Sequence, residues 1–250
     1  MSEPLLETRN LVAGYVPQVD ILTGASISVA AGEIVTVVGP NGAGKSTLIK
    51  TIFGLLAPRS GAILLEGEEI AGQAAHEIAR RGVGYVPQLE NVFPSLTVEE
   101  NLEVSWLGEG AAGPQIERMY ELFPRLGDRR RQAAGTMSGG ERQMVAMARS
   151  LVSEPKLILL DEPSAGLAPA MVDATFEQVV RINEAGVTVV MVEQNARRAL
   201  AMSTRGYVLD TGSNAFEGTG EELLGNERVA ELYLGGTARL DARSGNGPTA

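Results

Sequence analysis

Residues 39–47, GPNGAGKST, constrain this chain more than any other stretch. They follow the apolar run IVTVV (34–38) and lead into a segment that reads as a helix from Lys45 to Leu56, ended by Pro58. A strand that passes through a glycine-rich turn straight into a helix is the opening unit of an α/β fold. Glycines, lacking Cβ, let backbone N–H groups wrap closely around a bound anion. The helix N-terminus adds the positive end of its dipole. These residue types suit phosphate. Gly39, Asn41, Gly42, Ala43 and Gly44 form the cradle, Lys45 reaches the terminal phosphates, Ser46 offers its hydroxyl to Mg²⁺, and Thr47 closes the pattern. A turn that binds nothing is the alternative, and the flanking strand and helix weigh against it. The pattern points to a nucleotide but not to what is done with it.

A second motif, LILLDEP (157–163), has the same buried-strand character and ends in two carboxylates. Asp161 stands where it could hold Mg²⁺ through water, and Glu162 where it could orient or deprotonate an attacking water. Alone, the pair would read as solvated acids at a strand end. Beside a phosphate loop it reads as the other half of one site. VTVVMVE (187–193) is a further near-continuous apolar run, the mark of parallel strands covered on both faces. The amphipathic helix MVDATFEQVVRINEAG (171–186) joins these two strands.

Elsewhere, LLETRNLVAGY, ASISVA and GVGYVPQ read as strands, and GAILLEGEEI and RGYVLDTGSNAFEG as hairpins. From Thr97 to about Val152 the pattern turns helical, opening with a capping box from Thr97 to Glu100. A helical subdomain at about 90–152 is therefore expected inside an α/β unit spanning 1–236, with residues 237–250, rich in Gly, Ala and Arg, as a disordered tail.

Of the 250 residues 44% are hydrophobic, enough for a substantial core, and none is cysteine, which excludes disulfides and thiolate metal sites. A formal net charge of −10 argues against general binding to nucleic acid or an anionic lipid surface. The basic run DRRRQ (128–132) reads as a solvated loop, and the only histidine, His76 in AAHEIARR, as a solvated helix residue. No apolar run approaches the roughly 20 residues of a membrane helix. The expectation is a soluble, cytoplasmic protein that reaches a membrane only through a partner.

TMSGGERQMVAMARSL (136–151) holds an oddity. Ser138 and Glu141 form a capping box, and Met144, Val145, Ala148 and Leu151 give the following helix an apolar face. Yet its first two helical positions are Gly139 and Gly140, each costing about 1 kcal/mol relative to Ala within a helix. Something anionic coming close to the backbone would account for both.

A phosphate loop, then SGGERQ, then DEP in that order resembles the ATP-binding subunits of ABC transporters. The resemblance covers residues 5 to about 236. It implies a RecA-like P-loop NTPase core with a mostly parallel sheet, an N-terminal antiparallel β subdomain and an inserted helical signature subdomain. It also implies that Ser138, Gly139 and Gly140 cap the γ-phosphate of ATP held by the opposite subunit of a dimer. By the same resemblance Tyr15 stacks on adenine, Gln88 senses Mg²⁺ and links the site to the helical subdomain, and SAGLAP (164–169) crosses the dimer interface. Two positions depart from the broad family. Ala168 stands where many members carry Asp, and Gln194 replaces the switch histidine. Glutamine donates a hydrogen bond to a γ-phosphate but carries no charge, so slow basal turnover is expected.

The stretches YELFPRL, AGTMSGGERQM, LLDEPSAGLAP, VEQNA, RGYVLDTG and YLGG resemble the LivF-type ATPases of branched-chain amino acid importers, in which GLAP and VEQN are usual. That resemblance implies a homodimer, or a heterodimer with a sister ATPase, beneath two membrane permeases at the cytoplasmic face of the membrane. A periplasmic or extracellular solute-binding protein would act indirectly. Related importers of urea or other amides share much of this sequence. The other classes are a soluble ABC ATPase of DNA repair, iron–sulfur assembly or translation, disfavoured by the lack of a coiled-coil insertion or fused second ATPase, and a catalytically silent scaffold, disfavoured by Lys45, Asp161 and Glu162.

Overall fold

Alternation of apolar and polar residues at the N-terminus produces strands in the computed structural model, which describes residues 3–89 and 91–233. β1 (Leu6–Ala13) and β2 (Leu22–Val29) pair antiparallel, and the fully buried β3 (Ile34–Val38) runs into α1 (Lys45–Ile52). There follow β4 (Ser60–Leu65), β5 (Glu68–Glu69), α2 (Ala75–Arg80) and β6 (Val83–Val86). The helical stretch comprises α3 (Val98–Glu103), α4 (Gly113–Leu122), α5 (Pro124–Gly127) and α6 (Gly139–Leu151). Strand and helix then alternate through β7 (Leu157–Asp161), α7 (Pro169–Glu184), β8 (Thr188–Val192), α8 (Ala196–Ala201) and β9 (Arg205–Asp210). β10 (Ser213–Gly218), α9 (Gly220–Gly225) and α10 (Glu227–Tyr233) follow.

Among the described residues the strands form two sheets. One is antiparallel in the order β2-β1-β4-β5, and the other runs β10-β9-β3-β8-β7-β6. In the second, all neighbouring pairs from β9 to β6 are parallel and only β10 is antiparallel, to β9. This is the α/β architecture expected from the apolar runs. The side chains of the parallel strands divide by the two-residue period of a strand. Val35, Val37, Leu157, Leu159, Val190 and Val192 join one core with Leu48, Ile49 and Ile52 of α1 and with the antiparallel sheet. Ile158, Leu160, Val189 and Met191 join the other, with Val145, Met147 and Leu151 of α6 and Phe176 and Val179 of α7.

Parallel pairing has one consequence that governs the site. Val37 lies beside Val192, and Val192 beside Asp161, so the carboxyl ends of β3, β8 and β7 open at the same edge. Ligands of open α/β sheets bind at that edge.

Two local expectations need correction. The helix from Lys45 ends at Ile52 rather than Leu56, because the chain turns through Gly54 at φ +77°. Tyr15 lies in the loop between β1 and β2, not within a strand. The segment 237–250 lies outside the described residues, and His76 is exposed on α2.

Ala168 is the N-cap of α7, at φ −63° and ψ 150°, and no side chain caps the helix there. Replacing it with Asp supplies an acceptor for the free N–H groups of the first turn. Ala168→Asp is expected to raise stability by about 0.5–2 kcal/mol, read as a higher denaturant midpoint with an unchanged slope. A lower midpoint would show that the local geometry refuses the cap.

Candidate nucleotide site

The loop between β3 and α1 is shaped by glycine at two demanding positions. Gly39 has φ +151°, and a Cβ there would lie 2.2 Å from the Leu209 carbonyl oxygen; Gly42 has φ +83°. α1 begins with no side-chain cap and no acidic residue in its first turn, so the N–H groups of Lys45, Ser46 and Thr47 remain available to an anion. Lys45 is only 5% exposed, and its Nζ donates to the carbonyls of Gly39 (2.8 Å) and Pro40 (3.0 Å). The ammonium is thereby held over the loop that the glycines shape. Burial pushes its pKa below the usual lysine value, while Glu162, Asp161 and Glu193 pull it the other way.

The carboxyl end of β7 meets this loop. Ser46 Oγ donates to Asp161 Oδ1 at 2.7 Å, which puts a hydroxyl and a buried carboxylate side by side. These are hard oxygen donors of the kind Mg²⁺ takes. Tyr85 of β6, stacked on Phe53, reaches Asp161 Oδ2 at 3.5 Å; burial, and then Asp161, hold its phenol well above the ordinary range. Glu162 follows at φ +48°, a strained backbone for a residue with a Cβ, and is 8% exposed. Two amides converge on its Oε2: Gln88 Nε2 at 2.9 Å and Gln194 Nε2 at 2.8 Å. Segments from residue 39 to residue 194 thus meet in one cluster of hydrogen-bonded groups.

Ser138, Gly139 and Gly140 are not part of that cluster. The capping box forms as the sequence predicts: Ser138 Oγ accepts from the Glu141 N–H (3.4 Å), and Glu141 Oε2 accepts from the Ser138 N–H (2.9 Å) and hydroxyl (2.8 Å). These bonds hold the Glu141 carboxyl below its usual pKa. The N–H groups of Gly139 and Gly140, which have no partner within the helix, stay available. The two glycines differ. Gly139 is exposed, whereas Gly140 is buried, and a Cβ on it would lie 2.1 Å from Met171 Cε of α7. A side chain at Gly140 would therefore oblige the Met171 thioether to move aside.

Tyr15 is 57% exposed, which leaves its ring accessible to a stacking partner, although Lys50 Nζ lies over it at 6.0 Å from the centroid. Arg59 braces the loop that carries it, pairing with Asp20 and donating to the Val16 carbonyl. Three residues that no motif singled out support the site: Tyr85, Asn101 and Glu193. Asn101, fully buried, accepts from the Phe93 N–H and donates to the carbonyls of Phe93 and Thr97, fixing the chain between Gln88 and α3. For Glu193, a charged residue closing an apolar strand was the available signal.

The family model described as ABC transporter matches residues 22–165. Over 227 residues the chain is 47% identical to the high-affinity branched-chain amino acid transport ATP-binding protein BraG of Pseudomonas aeruginosa, covering 90% of this chain and 97% of that protein. It is 41% identical to a probable branched-chain amino acid transport ATP-binding protein, LivF, of Archaeoglobus fulgidus, covering 92% and 99%. With the lipopolysaccharide export ATP-binding protein LptB of Escherichia coli the identity is 36%, covering 94% and 99%. Among solved structures, a nucleotide-free ATP-binding cassette from an ABC transporter superposes with a TM-score of 0.83 at 28% identity, covering 92% of this chain and 98% of that one. The ADP conformation of another such cassette gives 0.82 at 28%, covering 94% and 100%.

Removing the exposed ring tests the adenine contact. Tyr15→Ala is expected to weaken ATP binding by about 1–3 kcal/mol, the range of base–aromatic stacking, and GTP binding by a similar amount. Equilibrium titration with both nucleotides checks it, and unchanged affinities would leave Tyr15 as a loop residue only.

Proposed function

The chain belongs to the ABC transporter ATPases, and from that premise we propose that it powers uptake of branched-chain amino acids through membrane permease partners. The observation that carries the substrate class is the near full-length similarity to BraG and LivF, which exceeds that to LptB. Among the described residues no helix is long and apolar enough to cross a membrane; in this reading the permease chains form the translocation path. Exposed Leu107 lines a cavity of about 240 Å³ with Asn91, Ser105 and Arg149, whose guanidinium lies over the exposed Phe93 ring, and such apolar exposure suits a protein partner.

The chemistry follows from the cluster. Lys45 exchanges the Gly39 and Pro40 carbonyls for the terminal phosphates, and the N–H groups at the start of α1 hold the chain of phosphates in place. Three buried carboxylates, Asp161, Glu162 and Glu193, surround a single buried ammonium, so a triphosphate enters with a divalent cation. Ser46 and Asp161, with Gln88 nearby, would hold Mg²⁺, which would supply charge neutralisation at the phosphates. Glu162 takes the proton of the attacking water, a role worth about 10²–10⁴ in rate. Gln88 and Gln194 orient its carboxylate through the shared oxygen. Gln194 then donates to the γ-phosphate as a neutral group. Gln194→Ala is expected to lower turnover, and by less than Glu162→Gln does.

In the proposed dimer, Ser138, Gly139 and Gly140 close on ATP bound to the opposite subunit. In a Glu162→Gln background, ATP is expected to drive dimerisation, measured as mass in solution, of the chain alone or with a sister ATPase. Adding Ser138→Arg should abolish it while leaving the ATP affinity of the monomer near wild type. Loss of ATP binding by a folded Ser138→Arg monomer would mean that the signature helix serves its own chain.

The transport reading is tested by capture. The tagged chain drawn from detergent-solubilised membranes is expected to bring down membrane-spanning chains. Its ATPase rate in reconstituted vesicles should rise with a binding protein loaded with leucine, isoleucine or valine. Stimulation by urea or amides instead would reassign the solute, and recovery without membrane chains would overturn the transport role.

A further inference from the structure

Glu193 is the residue whose cost the proposed chemistry leaves unexplained. It follows β8, whose members Thr188–Val192 are all buried, and is itself 1% exposed. An ionised carboxylate at such a depth costs several kcal/mol unless hydrogen bonds compensate it. Those bonds are specific. Oε1 accepts from the Ser164 N–H at 2.9 Å, and Oε2 accepts from the N–H groups of Gln194 (3.1 Å) and Asn195 (3.2 Å). The Glu193 N–H donates in turn to the Val37 carbonyl at 3.2 Å, one residue before β3 ends. Burial raises the pKa of the carboxyl, and the Ser164, Asn195 and Gln194 donors oppose that rise. A hydrophobic side chain would continue the strand at no such cost. What only a carboxylate does here is accept from two loops at once.

We propose that Glu193 is a positioning residue for ATP hydrolysis, its carboxylate tying the loop that begins at Ser164 to the loop that carries Gln194. Movement of residues 164–168 is then transmitted to the Gln194 backbone N–H, and through the Gln194 side chain, whose Nε2 donates to Glu162, to the hydrolytic carboxylate, across hydrogen bonds of 2.8–3.2 Å. This inference rests on the role given above to Gln194.

The test is a mutant cycle read as ATP affinity and turnover separately. Glu193→Gln conserves volume, but an amide has one acceptor oxygen and a donating NH₂ group, so at least one loop loses its tie. ATP affinity is expected to stay within about threefold of wild type and kcat to fall about tenfold, the scale of a lost charge-assisted hydrogen bond. Adding Glu193→Gln to Gln194→Ala should lower kcat by less than about twofold further, because residues that act as one unit are not additive. Should Glu193→Gln fail to fold, Glu193→Asp keeps the charge but shortens the reach to the two loops, and a smaller fall in kcat at unchanged affinity is expected. An unchanged kcat overturns the inference, as does a loss of affinity equal to the loss of kcat, which marks general damage to the fold. If Gln194→Ala turns over like wild type, the role of Gln194 fails and this inference with it. If Gln194→Ala is slow and the two losses multiply, the inference alone fails.

Discussion

Parallel hydrogen bonding between β3, β8 and β7 is the constraint from which the site follows. A parallel ladder sends every strand end to one edge, so the phosphate loop after Val38, the carboxylates Asp161 and Glu162, and the pair Glu193 and Gln194 arrive together. No single one of these segments makes a site. The apolar interiors of the three strands supply the energy that holds polar and strained residues at their ends. Glu162 keeps φ +48° because β7 and β8 fix both sides of it, its own N–H bonded to the Val192 carbonyl at 3.0 Å.

At that edge, charge is more concentrated than a core of this kind tolerates for packing alone. Asp161, Glu162, Glu193 and Lys45 are all buried, and each is satisfied by named partners: Ser46 and Tyr85 for Asp161, two amides for Glu162, three N–H groups for Glu193, two carbonyls for Lys45. The donors come from α1, from β6, from Gln88 beyond it, and from the loops after β7 and β8. A shift in any one alters the field felt by the others, because buried hydrogen-bonded networks polarise one another. Such a cluster reports a change at one of its loops to all the rest.

The apolar runs and the glycine-rich turn were legible in the sequence because they encode strand burial and backbone conformation locally. The capping boxes at Thr97 and Ser138 were legible for the same reason, each needing only a four-residue pattern. What escaped the sequence depends on contacts far along the chain. The end of α1 at Ile52 is decided by Gly54, a residue that also occurs inside helices. The neighbour of Gly140 is Met171, thirty-one positions later. Glu193 closes a legible apolar run, but its partner Ser164 lies in a loop that adjoins it only after β7 and β8 pair.

The order of the sheet also bears on how the chain is made. β3 is complete within the first 38 residues, yet its two neighbours are β8 and β9, where Val35 meets Val190 and Arg205. On a ribosome adding about 5–20 residues per second, the IVTVV strand and the phosphate loop behind it wait roughly 8–30 s for partners. Through that interval a strand built to be fully buried has both edges open, the condition under which nascent chains aggregate or recruit chaperones. The nucleotide cradle, among the first parts written, is among the last to be finished.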